Sequence, residues 1–208
     1  MGHDGDVMCD AQSDSTLAYY ERNARSFCAA TVALDLSALY ARFLPLLPAG
    51  GHILDVGCGS GRDARAFLEQ GYRVTAFDAS PALAQQARAY CGIPVQVLRV
   101  QEVPWVACFD GIWACASLLH VPMRELPEVL GRLTVALKPG GVLYLSFKYG
   151  HGERHCEGRH FTDLDEAGLL TLLGAVPGLL LRERWITADQ RPERHGEQWL
   201  NAVVAGAA

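Results

Sequence analysis

Apolar positions change their period twice along the chain. Residues 1–15 are rich in Gly, Asp and Ser and show no apolar period, so they are expected to form a flexible N-terminus. From Thr16 to Leu44, Leu17, Tyr20, Ala24 and Phe27, then Val32, Leu36, Leu39, Tyr40 and Phe43 recur near helical spacing. Two helices are predicted, ending at Pro45 and Pro48. Beyond Ala49-Gly50-Gly51, short apolar runs alternate with helical ones. Strands are predicted at His52–Val56, Tyr72–Phe77, Val95–Val100, Phe109–Ala114 and Val142–Phe147. Helices are predicted over Arg62–Gln70, from Ser80-Pro81 onward with Ser as N-cap and Pro at N1, and over Arg124–Leu137. Strands separated by helices of this length imply a parallel, doubly wound α/β sheet. After a helix at Leu164–Leu173, Leu179–Thr187 and Gln198–Val204 are two strands with no helix between them, so an antiparallel pair is expected. The expected architecture is one domain over residues 16–208. Residues 16–48 form a helical lid, and 51–208 a seven-stranded core of five parallel strands plus a C-terminal antiparallel hairpin.

Composition narrows the function. Half of the 208 residues are hydrophobic and a fifth charged, which suits a globular core. No apolar run reaches membrane-span length, and the polar start does not resemble a secretion signal. A formal charge of −5 gives no basic footprint for nucleic acid, although arginines crowd the tail from His151 to His195. The seven cysteines are scattered without a Cys-x-x-Cys pair, which reads as free thiols in a reducing cytoplasm.

The strongest chemical signal is Asp55-Val56-Gly57-Cys58-Gly59-Ser60-Gly61, between strand one and a helix, where doubly wound folds bind nucleotides. The third glycine falls one residue early for the dinucleotide fingerprint, and no Lys follows as in a phosphate loop. NAD, FAD and nucleoside triphosphates are therefore disfavoured. A nucleoside carrying an amino acid suits the loop better. Gly57, Gly59 and Gly61 allow close backbone approach, Cys58 is a small filler, and Asp55 accepts from an ammonium directly or through water. Asp78, seventeen residues beyond Gly61 at the tip of strand two, is placed to hold two ribose hydroxyls. Those are the parts of S-adenosylmethionine (SAM).

With Phe77-Asp78-Ala79-Ser80, Phe109-Asp110-Gly111-Ile112 and Leu137-Lys138-Pro139-Gly140-Gly141 added, the chain resembles the class I SAM-dependent methyltransferases over about residues 51–147. Gly59-Ser60-Gly61-Arg62-Asp63 is further similar to the small-molecule and metalloid branch, including the tellurite-resistance methyltransferases. The resemblance implies a Rossmann-like fold and SAM as cofactor, with S-adenosylhomocysteine (SAH) as product. It places Ala79 at the cofactor, Gln101 and Glu102 near the adenine, and Ala114 to Ser117 near the methyl group. The family usually has an acid where Gln101 falls.

Methyl transfer needs an aligned nucleophile, exclusion of water and sometimes a base. Ala114-Cys115-Ala116-Ser117 lacks the Asn/Asp-Pro-Pro-Tyr/Phe signature of amino methyltransferases acting on nucleic-acid bases, and there is no Pro-Cys pair for cytosine C5 attack. His120 is the candidate base, weighed against a histidine that merely supports its loop. Tyr20 and Asn23 are expected to reach SAM from one face of the lid helix, against simple packing as the alternative. Lys148, Tyr149 and Arg159, on an expected flexible loop, with Trp185 and Arg191 on the edge hairpin, are candidates for a small, anionic acceptor. His151, His155, Cys156 and His160 match no tetrahedral metal spacing, so no metal is expected. The expected function is SAM-dependent methyl transfer to a small molecule at O, N, S or a metalloid. The alternatives are a methyltransferase for RNA or protein, and a SAM-binding interaction module without turnover. The oligomeric state is left open.

Overall fold

The computed structural model describes residues 4–191, 194 and 196–206, with side chains from residue 15 onward. Helix α1 (Asp4–Thr31) precedes α2 (Ser37–Phe43). Helical backbone thus begins inside the stretch expected to be a flexible N-terminus. Seven strands build the main sheet: β1 (His52–Val56), β2 (Arg73–Asp78), β3 (Val95–Val97), β4 (Phe109–Ala114), β5 (Leu137–Lys148), β8 (Leu179–Ala188) and β9 (Gln198–Gly206). Helices α3 (Arg62–Glu69), α4 (Pro81–Cys91), α5 (Leu126–Ala136) and α6 (Glu166–Gly174) connect them.

The order β3-β2-β1-β4-β5-β9-β8 has a parallel core, and β9 runs antiparallel between β5 and β8. This is the expected sheet. Its order reverses between β1 and β4, so the loops after these strands splay apart and leave a crevice. β3 is shorter than expected: its chain leaves the sheet at Leu98 and coils into a 3-10 turn at Val100–Glu102. β1 and β4 keep their predicted limits because both are buried runs in the sheet centre, where Leu54 and Ile112 are fully buried.

One correction concerns the segment after β5. Instead of a flexible loop, β6 (Gly152–Cys156) and β7 (Arg159–Asp163) form a separate two-stranded hairpin, in register from Gly152 opposite Asp163 to Cys156 opposite Arg159. Glu157 and Gly158 close it with φ of 53° and 78°, the left-handed pair that a two-residue turn demands. All of β6 is exposed and all of β7 is buried, so the hairpin lays Arg159, His160 and Phe161 against the molecule. Helix α1 packs on both β7 and α4 and so spans the crevice. Ser80 caps α4 as expected, its Oγ accepting from the Leu83 amide.

Candidate active site

Two adjoining cavities lie at the carboxyl ends of β1, β2 and β4. The first has Gly57 and Gly59 on its floor, Asp78, Ala79 and Ser80 on one wall, and Leu98 to Gln101 on another. Ala116 to Leu118, with His120, form its far side, and Thr16, Leu17, Tyr20 and Phe27 of α1 cover it. These α1 residues follow helical spacing, which is why one face of one helix can roof the crevice. The second cavity lies between α1, α2, the hairpin and the end of β9. Its walls include Leu36, Leu39, Tyr144, Arg159, Phe161 and Trp199. The two cavities share Tyr20, Phe27, Gly57, Gly59, Ala116 and His120.

Backbone geometry explains the glycine loop. Gly57 (φ 65°) sits so close to the loop after β4 that an added Cβ would lie 2.7 Å from the Ser117 Cβ. Gly59 (φ 54°) donates its amide to Asp78 Oδ2 at 2.9 Å, and the Ser80 amide donates to Oδ1 at 2.9 Å. Asp78 thus ties the β1 loop to the end of β2, and each oxygen keeps a lone pair for a further donor. Burial pushes its carboxyl up to about 6, against the pull of those two amides. Ala116 also has positive φ, 52°, and the turn it makes puts Cys115 on the second cavity and Ser117 on the first.

Tyr20 and His120 meet where the cavities join. The Tyr20 hydroxyl lies 2.7 Å from His120 Nε2, and His120 Nδ1 lies 2.7 Å from the His160 carbonyl. A carbonyl only accepts, so Nδ1 carries the ring proton and Nε2 accepts from Tyr20. Burial lowers His120 to about 4 and raises Tyr20 to about 12, with the Arg159 charge working against the rise.

Several expected residues lie elsewhere. Asn23 turns back on its own helix, donating to the Tyr19 carbonyl at 2.8 Å, and lines neither cavity. Gln101 lines the first cavity, whereas Glu102 is exposed and accepts from the Arg99 amide at 3.1 Å. Ala114 is buried in the sheet behind the wall. Gly61 starts α3 and packs on Ala87 of α4. Cys58 borders the second cavity, and Asp55 sits beneath the loop with Oδ2 buried and without a partner among the described residues. Burial and the Asp63 charge raise the Asp55 carboxyl well above its ordinary range.

The cationic set also divides. Lys148 is buried against Trp199 and pairs with Asp189 at 3.0 Å and with Glu197. Arg191 pairs with the same Asp189 at 2.6 Å. Tyr149 is exposed and donates to Glu166, and Trp185 packs under Arg42 away from either cavity. Lys148, Arg159 and Arg191 all line the second cavity, and of these only Arg159 has a buried nitrogen, Nε, without a partner among the described residues.

Two features were not anticipated. Glu21 accepts from Ser80 Oγ and, at 3.0 Å, from the Ala82 amide, locking α1 onto the start of α4. Asp63 accepts from Tyr40 at 2.6 Å, Trp113 at 2.9 Å and Arg62, which also donates to the Thr31 carbonyl. Burial alone would raise Asp63, but Arg62 and those two donors hold it below the usual carboxylate range. The pairing anchors both lid helices to the glycine loop.

The donor set fits a nucleoside bearing an amino acid. Asp78 retains lone pairs for vicinal hydroxyls, and among the described residues neither Ser117 Oγ, buried on the first cavity, nor Asp55 Oδ2 has a partner. Among the described residues no cluster of three metal-ligating side chains occurs, and no helix is long and apolar enough to cross a membrane.

Comparison with known proteins agrees with this geometry. A family model described as a methyltransferase domain matches residues 53–141. The chain is 38% identical over 109 residues to a ubiquinone biosynthesis O-methyltransferase of Xanthomonas axonopodis pv. citri, covering 49% of this chain and 44% of that protein. It therefore spans less than half the length of the curated relatives it matches. A Burkholderia thailandensis 1,6-didemethyltoxoflavin N1-methyltransferase, solved with its namesake compound and SAH, superposes with a TM-score of 0.67 at 25% identity, covering 98% of this chain and 86% of that one. A SAM-dependent methyltransferase of Methanosarcina mazei gives a TM-score of 0.71 at 18% identity, covering 84% and 99%, and shows the fold alone. Residues 53–141 are a methyltransferase domain, set in the Rossmann-like fold of the class I SAM-dependent methyltransferases.

Proposed function

We propose that this protein transfers the methyl group of SAM to a small-molecule acceptor where its two cavities meet. The observation that carries this reading is the wall they share: Tyr20, Phe27, Gly57, Gly59, Ala116 and His120 border both. A donor in the first cavity and an acceptor in the second are thereby held end to end under α1, and proximity with water exclusion is what this reaction needs. SAM supplies a methyl group already activated by its sulfonium. Asp78 holds the ribose hydroxyls, Leu98 to Gln101 flank the adenine, and Asp55 answers the ammonium through the loop or through water.

An acceptor of modest size suits a cavity closed by α1, α2 and the hairpin. The ubiquinone-related O-methyltransferase and the toxoflavin N-methyltransferase, as their names state, both act on small molecules, which supports this class. An anionic acceptor draws its support from Arg159, because Lys148 and Arg191 already pair with the buried Asp189 and Lys148 also with Glu197. The same pairing weakens the reading of an RNA-docking arginine stripe. Free thiols at the six described cysteines favour a reducing compartment such as the cytoplasm.

The test is calorimetric binding of SAM and SAH, followed by mass-spectrometric detection of methylated products from a panel of small phenols, amines and thiols. Micromolar SAH binding with transfer is expected. Absence of SAH binding would defeat the reading, and binding with no transfer to any acceptor pool would turn it toward a SAM-responsive interaction module.

A further inference from the structure

Resting on the methyl-transfer reading, we infer that Arg159 receives the acceptor as an oxyanion, an ionised phenol- or enol-type hydroxyl on a flat ring. Arg159 is only 7% exposed, its guanidinium stacks 4.1 Å over the Tyr19 ring, and its Nε is buried on the second cavity with no partner among the described residues. A buried N–H without an acceptor costs free energy until a ligand supplies one.

The charge balance points the same way. Arg62 faces Asp63, and Lys148 and Arg191 face Asp189, acids whose side chains are 9% and 3% exposed. Arg159 meets Glu157 through Nη2 alone, at 2.5 Å, and the Glu157 side chain is 65% exposed at the hairpin turn. Solvent screens that partner, so the Arg159 charge is the least compensated of these four and favours an anion beside it. Aromatic walls at Phe27, Tyr144, Phe161 and Trp199 suit a planar body.

The hydrogen bonding around Tyr20 leaves the acceptor to lose its own proton. His120 Nε2 is already taken by the Tyr20 hydroxyl, and the Tyr20 proton points at His120 rather than into the cavity. An acceptor acidic enough to ionise next to Arg159 needs neither group as a base. The step balances: the oxyanion pair forms the O–C bond, the pair of the breaking S–C bond returns to sulfur, and the acceptor proton has left for solvent before transfer. The titratable and charged groups facing this cluster are Tyr19 and Tyr20 from α1, Asp78 after β2, His120 after β4, and Glu153, Arg154, Glu157 and His160 from the hairpin, while the paired Arg62 and Asp63, and Lys148, Asp189, Arg191 and Arg194, line the rest of the cavity.

The probe is 4-nitrophenol, whose phenolate absorbs in the visible, titrated against pH on the protein saturated with SAH. The wild-type complex is expected to lower the pKa of the bound probe by about one unit or more, a tenfold preference for the anion. Arg159→Gln should abolish the shift while calorimetric SAH affinity persists, showing that the fold and donor cavity are intact, and Arg159→Lys should restore part of it. No shift in the wild type, an equal shift in Arg159→Gln, or no binding of the probe to the SAH complex would each overturn the inference. Failure of SAH itself to bind would instead remove the methyl-transfer reading on which it rests.

Discussion

The hydroxyl of Tyr20, on the lid helix, donates to Nε2 of His120 at 2.7 Å across one hundred residues of chain. The bond fastens α1 to the loop after β4 at the junction of the two cavities. Tyr20→Phe keeps the ring but leaves His120 Nε2 buried without a donor, which costs about 1 to 3 kcal/mol. SAH binding by calorimetry should weaken about tenfold or more, because closure of the lid is coupled to it. Unchanged affinity would show that the bond does not hold the lid.

The Asp78 carboxyl titrates near 6 in the free protein because burial favours its neutral form. Ribose hydroxyls donate to the ionised form, so binding lowers that pKa and releases a proton at acid pH. Affinity should therefore be constant above about pH 7 and fall about tenfold per unit as the medium drops below 6. The ligand to use is 5′-methylthioadenosine, which lacks the amino acid and leaves Asp55 out of the measurement. In Asp78→Asn the profile should be flat and the affinity lower by about 1 to 3 kcal/mol.

His120 contributes to stability with its own pH window. Its folded-state value, about 4, lies below the ordinary 6.5, so between these values the unfolded chain holds more protons. Stability should fall as pH drops from 6.5 toward 4, and His120→Gln should reduce that slope in chemical denaturation across this range. An unaltered slope would place His120 in contact with water.

Lys148 lines the second cavity but is held there by Asp189 and Glu197, so a structural role is expected for it. Lys148→Met removes one of the two cations on a buried Asp189, leaving Arg191 and Trp199 on it, and should destabilise the fold by about 1 to 3 kcal/mol in urea denaturation. Little change in stability with a raised acceptor KM would reverse this assignment.

Gly57→Ala should be costly on two counts, a left-handed φ and a Cβ only 2.7 Å from that of Ser117. A loss of about 2 kcal/mol in stability, with SAH binding greatly weakened, is expected. Adding Ser117→Gly should recover part of the stability, since it clears the clash but not the strained φ.

The sheet was legible because its central strands are buried on both faces, so their apolar runs at His52–Val56 and Phe109–Ala114 stand out from the helices between them. The donor loop was legible for a related reason: positive φ at Gly57 and Gly59 demands glycine whatever surrounds it. The hairpin was not, because β7 buries Arg159, His160, Thr162 and Asp163, polar side chains that resemble a solvated loop when read along the chain. Its one local sign was Glu157-Gly158, a less common form of the two-residue turn. The roles of Lys148 and Arg191 were hidden because their charges depend on Asp189 and Glu197, and the two acids lie 41 and 49 residues from Lys148. Glu21 was missed since only the finished fold brings it to the start of α4.

The donor cavity draws most of its surface from the stretch common to relatives, residues 53–141, while much of the acceptor cavity comes from α2, the hairpin and β9. Inheritance can therefore act on the two halves at different rates. On the proposed methyl-transfer function, substitutions at Leu36, Phe161 or Trp199 would reshape the second cavity without disturbing Asp78 or the glycine loop, so descendants of one ancestral chain could keep one reagent and exchange clients. Swapping those segments between homologues is accordingly the economical route to redirecting such an enzyme.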